Sequence, residues 1–186
     1  MLIRILFFSL LLAPIAGWAL YKPLRVVVPE WNGVECVGEV ICVEDRERAE
    51  EAKAVYVEAL AFVDASAGEI HHKPRATFCS SEACFSAFGF HSPAKAKTVG
   101  VAGIVVGPLG WNQHILRHEI IHHLQAERLG VIGQLLSPKW FKEGMAYSLS
   151  EDPRELKEPW ESYRNAFLAW FQRVGKERLW NEAKRL

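Results

Sequence analysis

His118-Glu119-Ile120-Ile121-His122 reads H-E-x-x-H within a run of helical periodicity, and this stretch decides the fold. Two imidazoles one helical turn apart can hold a single metal ion. The carboxylate beside the first can take a proton from metal-bound water. Just upstream, Gly110-Trp111-Asn112 supplies a helix start, with Asn112 as N-cap and Trp111 placed to pack on Leu116; Gly130 supplies the stop. At about 100° per residue, His114, His118, His122, Gln125 and Leu129 share one face, and Leu116, Ile120 and Leu124 lie opposite. A helix apolar nearly all round is a buried one. The competing reading keeps His118 and His122 as core histidines, hydrogen-bonded to backbone or to each other. His123 points away from the pair and reads as structural. His114 lies a turn early on the metal face, as a contact to substrate or to a ligand.

A catalytic zinc site takes three protein ligands and leaves a position for water. Glu127 falls nearly opposite His118 on the helix, which removes it. Arg128 stands where a third histidine would complete H-E-x-x-H-x-x-G-x-x-H, and no histidine follows His123. A carboxylate is the simplest remaining ligand, and Glu143, in Trp140-Phe141-Lys142-Glu143-Gly144-Met145-Ala146, fits best. Ser137-Pro138 reads as an N-cap followed by proline at the first helical position, which puts Glu143 in the second turn of a helix folding back across the first. Gly144 removes bulk beside it and permits a close helix approach. Glu151 and Asp152 lie in a charged, proline-punctuated stretch that reads as solvated. Tyr147, one turn after Glu143, is a candidate donor to a developing oxyanion, in competition with an ordinary core role.

H-E-x-x-H followed by W-F-x-E-G-x-A resembles the gluzincin clan of zinc metallopeptidases. The matching residues are His118, Glu119 and His122, then Trp140, Phe141, Glu143, Gly144 and Ala146, within residues 111–149. The resemblance implies an α+β, zincin-like fold: a small β-sheet packed on a buried motif helix, with further C-terminal helices. It also implies Zn2+ held by His118, His122 and Glu143, with Glu119 as general base. The function that follows is hydrolysis of peptide bonds in a peptide or protein substrate by a metal-activated water. There are departures. No G-x-M-E-N segment precedes the motif, and Tyr147 stands where the thermolysin branch places an aspartate. The chain is also short for the clan, as a minimal exported bacterial form would be. The rival function is a non-catalytic envelope binding or scaffold protein that keeps the fold; retention of Glu119 beside both histidines speaks against it.

The remaining sequence frames this site. With 22 basic and 22 acidic residues in 186 and no basic run, nucleic acid is a poor partner. Residues 1–21 form a leader: a short basic start, then Ile5 to Tyr21 without a charge. It reads either as an export signal cut ahead of Leu20 or as an uncleaved membrane anchor. Both place the domain of residues 22–186 outside the cytoplasm, in the periplasm or anchored at the inner membrane. Four cysteines allow three connectivities. Nearness favours Cys36–Cys42 and Cys79–Cys84 as disulfides in an oxidising compartment, against a reading as four reduced thiols. Leu24–Val28, Pro74–Phe78 and Thr98–Val106 are strand candidates, the last with glycines that permit a close backbone approach and an edge that an extended peptide can join. Glu44–Asp64 reads as a helix stopped by Gly68, and Pro153–Leu186 as an amphipathic helical segment that packs on the domain, with a membrane-surface or partner-binding role as the alternative.

Overall fold

A computed structural model describes residues 22–186 of the chain; the leader lies outside the described residues. The architecture is α+β. Five short strands, β1 (Glu35–Cys36), β2 (Ile41–Val43), β3 (Ala76–Phe78), β4 (Ala96–Val99) and β5 (Gly103–Val106), form one mixed sheet in the order β1-β2-β3-β5-β4. The inner pairs β2/β3 and β3/β5 are parallel, and the outer pairs β1/β2 and β4/β5 antiparallel. Among the described residues seven α-helices accompany it: α1 (Lys22–Val27), α2 (Ala49–Ala67), α3 (Glu82–Ala87), α4 (Gln113–Leu136), α5 (Lys139–Leu149), α6 (Trp160–Val174) and α7 (Leu179–Ala183). Among the described residues no helix is long and apolar enough to cross a membrane.

Two cores form on the two faces of the sheet. The larger gathers Val43, Phe78, Ile104 and Val106 from the strands with Tyr56 and Val63 of α2, Leu116, Ile120 and Leu124 of α4, and Phe141 and Phe167 of α5 and α6. The smaller joins Val26 of α1, Val105, Phe85 and Phe88 with both disulfides. Cys36 stands directly opposite Cys42 in the β1/β2 pair, and the bonds are Cys36–Cys42 and Cys79–Cys84, as nearness in sequence suggested.

Several expectations shift. Leu24–Val28 is not a strand: most of it belongs to α1, whose Val26 is buried beside β5. A short β-branched run cannot be told from buried helix by periodicity. Thr98–Val106 is not one strand but the hairpin β4/β5, turned at Gly100 with φ 52°. The close approach expected of its glycines is real: a Cβ on Gly103 would stand 2.7 Å from the Arg75 carbonyl oxygen. The helix begins at Ala49 rather than Glu44, after a 3-10 turn at Arg46–Arg48. Glu44 instead accepts hydrogen bonds from the Ser80 and Ser81 amides (2.7 and 2.8 Å) and from the Ser81 hydroxyl (2.6 Å). A carboxylate with these donors has little reason to join a helix.

Candidate metal centre

Asn112 caps helix α4 as its sequence suggested. Asn112 accepts from the His114 amide at 3.2 Å. The Trp111 indole donates to Cys79 O at 2.9 Å, sets its ring edge-on to Phe78, and lies under the Arg48 guanidinium. Leu116, Ile120, Ile121 and Leu124 are fully buried, so the helix cannot roll, and the faces of its two histidines are fixed. At Gly130 the helix kinks instead of ending. The backbone there is at φ 75°, ψ 157°, a conformation essentially confined to glycine, and helical turns resume to Leu136. Ser137 then closes this distal arm by donating to Gly133 O at 2.8 Å, and α5 begins at Lys139. Ser137 therefore serves the helix before it, not the one after.

Helix α5 delivers Glu143 to the histidines. His118 Nε2 and His122 Nε2 are 3.1 Å apart; Glu143 Oε2 is 3.5 Å from the second and 3.8 Å from the first. Gly144 is required next to it, though for a different neighbour than expected. A Cβ there would meet Tyr163 O of α6 at 2.2 Å and Phe167 Cβ at 2.8 Å. The glycine lets α6, rather than α4, press on α5. Trp170 then meets Trp140 and Phe141 edge to face, and Phe167 packs on Phe141 at a tilt, which locks the pair.

The donor set suits a divalent cation. Zinc bonds of ~2.0–2.1 Å in tetrahedral geometry put neighbouring donors about 3.3–3.4 Å apart, within the spread of the three distances. Hydrogen bonding agrees. The Gln125 amide donates to Lys142 O at 2.9 Å, which turns its Oε1 toward His122 Nδ1, also 2.9 Å away. His122 Nδ1 must then carry the proton, leaving Nε2 as a lone-pair donor facing the other two groups. Without a cation, two ring nitrogens and a carboxylate converge with at most one shared proton. Burial, then the facing His122, holds the His118 ring down to about 4, so it stays neutral and able to ligate. Burial pushes the Glu143 carboxyl up, but the His122 ring facing it, when protonated, draws it down to about 2, so Glu143 stays ionised.

Glu119 belongs to the site but not to the donor triangle. The Thr98 amide of β4 donates to its Oε2 at 2.7 Å. The Thr98 hydroxyl lies 2.8 Å from the same oxygen and 2.7 Å from the Glu119 carbonyl. Its Oε1 makes no hydrogen bond among the described residues. The edge strand β4 therefore runs beside the motif helix and fixes the carboxylate. Sequence reading missed Thr98, because no motif relates a strand residue to a helix distant along the chain.

Two cavities flank the triangle and share Lys97, Glu119 and Glu143 in their walls. One, of about 240 Å³, adds His118, Tyr147, Arg154 and Trp160; the other, of about 280 Å³, adds His122, Val131, Gln134 and Leu135. Tyr147 sets its ring edge-on to His118 with centroids 4.5 Å apart. Burial, then the charge of Glu143, pushes its phenol pKa up, so it remains protonated. His114 misses the triangle and stands instead 3.9 Å from Asp152. Asp152 corrects the reading of its stretch as solvated: its side chain is 1% exposed and gripped by Arg154. Glu127 is occupied elsewhere, accepting from the His71 and His72 amides, and His123 lies 2.8 Å from His72 O. Both confirm the helical-wheel placement. A second cluster, Glu44 with Cys79 and Cys84, offers no thiolate because the cysteines are bonded to each other. No known protein family, curated protein or solved structure matches the chain.

Proposed function

We propose that this chain is a zinc-dependent peptide hydrolase with a zincin-like fold of the gluzincin kind. The observation that carries the reading is the convergence of His118 Nε2, His122 Nε2 and Glu143 Oε2 at 3.1 to 3.8 Å, with Glu119 pinned just outside that set. Zinc in that position supplies a Lewis acid, which lowers the pKa of water toward ~7 and polarises a scissile carbonyl. The chain's residues supply the rest. Thr98 holds Glu119 by Oε2, so Oε1 is left to accept the proton of the attacking water and pass it to the leaving amine. The protonated Tyr147, in the cavity wall beside His118, would donate to the developing oxyanion. The outer edge of β4, apart from the Thr98 amide that Glu119 takes, would offer extended backbone to a peptide substrate. The two disulfides, together with the uncharged run from Ile5 to Tyr21, favour an exported protein, anchored at or released from the membrane.

The test joins metal analysis with one substitution. The purified chain should hold near one equivalent of zinc, and His122→Ala should lose it. Glu119→Gln should keep the zinc while peptide hydrolysis falls by at least ~10²-fold, the scale of general-base catalysis. Undiminished hydrolysis in Glu119→Gln removes the assigned base; a chain that takes up no zinc removes the reading altogether.

A further inference from the structure

The cavity on the His118 side gathers three basic side chains. Its wall includes Lys95, Lys97 and Arg154. The carboxylates of the same wall do not pair with them among the described residues: Glu119 accepts from Thr98 through Oε2, and Glu143 faces the histidines. Neither lysine forms an ion pair among the described residues, and Arg154 pairs with Asp152 alone. That one pairing is informative. Asp152 Oδ1 accepts from the Arg154 amide at 3.0 Å and from its Nε at 2.8 Å, and Oδ2 accepts from Nη2. The aspartate side chain is buried, so the guanidinium plane is clamped along one edge. Nη1 makes no hydrogen bond among the described residues, and the terminal Nη1/Nη2 edge retains its outward N–H groups. A planar fork held by one carboxylate along one edge can take a second carboxylate along the other. A lysine in that place would offer only a point charge.

We infer that Arg154, held by Asp152 and sharing the cavity wall with Lys95 and Lys97, binds a carboxylate of the substrate, making the cleft selective for peptides that present an acidic group on the His118 side of the metal triangle. The inference deepens the proposed hydrolase and rests on that reading. The carboxylate has two sources, a free C-terminus or an acidic side chain. The first would make the enzyme trim ends; the second would make it select internal acidic sites.

Binding to the zinc-loaded full chain carrying Glu119→Gln separates these without turnover. The probes are three N-acetylated peptides of alanine and leucine: one with a free C-terminus, its C-terminal amide, and an amide with one internal glutamate. Calorimetry should show at least one acidic peptide binding roughly tenfold or more tighter than the neutral amide, the scale of a charge-assisted bidentate contact. Whichever acidic peptide gains identifies the source. Arg154→Ala should erase the preference, and Arg154→Lys should retain part of it. Removing Arg154 alone strands a buried carboxylate. Should that variant fail to fold, Asp152→Asn with Arg154→Gln carries the same expectation. Equal affinities for all three peptides, no measurable binding of either acidic one, or a preference that survives loss of Arg154 overturns the inference. Zinc uptake, measured first on the same sample, reports separately on the hydrolase reading.

Discussion

Residues 113–129 of α4 and its arm beyond Gly130 share one helix and one richness in aliphatic side chains, yet they meet solvent differently. Before the kink, Leu116, Ile120, Ile121 and Leu124 are 0% exposed, packed against α2 and the sheet. After it, Val131, Ile132, Leu135 and Leu136 are 50%, 74%, 72% and 77% exposed. The first part is held by burial. The arm is held by polar contacts: Gln134 donates to His122 O, and Ser137 closes the last turn on Gly133. The proposed metal ligands would need positions fixed to within about half an ångström, and burial on all sides supplies that. The arm only has to complete a cavity wall, and Val131 and Leu135 do so beside Gly100.

The comparison can be broken most forcefully at Leu124. Leu124→Ala empties a fully buried site and should cost ~2–5 kcal/mol in a urea unfolding titration. A loss below about 1 kcal/mol would mean that the buried part is not fixed by its core, contrary to the comparison. Thr98→Val tests the grip on the motif from the sheet side. It deletes the hydroxyl between the Glu119 carboxylate and carbonyl while leaving the Thr98 amide bond, and hydrogen bonds to charged groups are worth ~1.5–3 kcal/mol. The same titration should register a loss within that range. No loss would mean the 2.7 Å amide contact suffices alone.

Gly130→Ala addresses the junction. No atom stands within 4 Å of a Cβ built there, so the penalty is conformational and not steric. Residues forced into that region cost ~1–3 kcal/mol. Hydrogen exchange should show the cost falling on the arm, with faster exchange at 131–137 and unchanged protection across 115–126. Uniform acceleration would show that the helix moves as one piece.

This junction also marks where sequence reading stops. The pattern around His118 was legible because burial writes a period of 3.6 into the residues, and the same reasoning set aside Glu127 and His123. Cys36 and Cys42 were legible because a short hairpin keeps sequence neighbours together. Gly130 was ambiguous, since a glycine that ends a helix and one that kinks it differ in ψ, not in composition. Asp152 misled for another reason. A stretch of Glu151-Asp152-Pro153-Arg154 looks solvated, but Arg154 follows at a spacing that folds back on the carboxylate, and a pair neutralised this way can be buried. Thr98 left no local trace, because its role depends on which strand ends up at the sheet edge.

The smallest effect is expected where the residues are most apolar. Ile132→Gln and Leu136→Gln change two aliphatic side chains to polar ones in the arm. Transfer free energy scales with area removed from water, ~25 cal/mol per Å², and these two side chains have little area removed. Glutamine is also among the better helix formers, so propensity adds only tenths of a kcal/mol. Each change should stay within ~0.5 kcal/mol in the titration applied to Leu124→Ala, and the two should add if they act independently. A cost approaching that of Leu124→Ala would show that something covers this face in solution. The contrast between the buried part and the arm would then belong to the isolated chain alone.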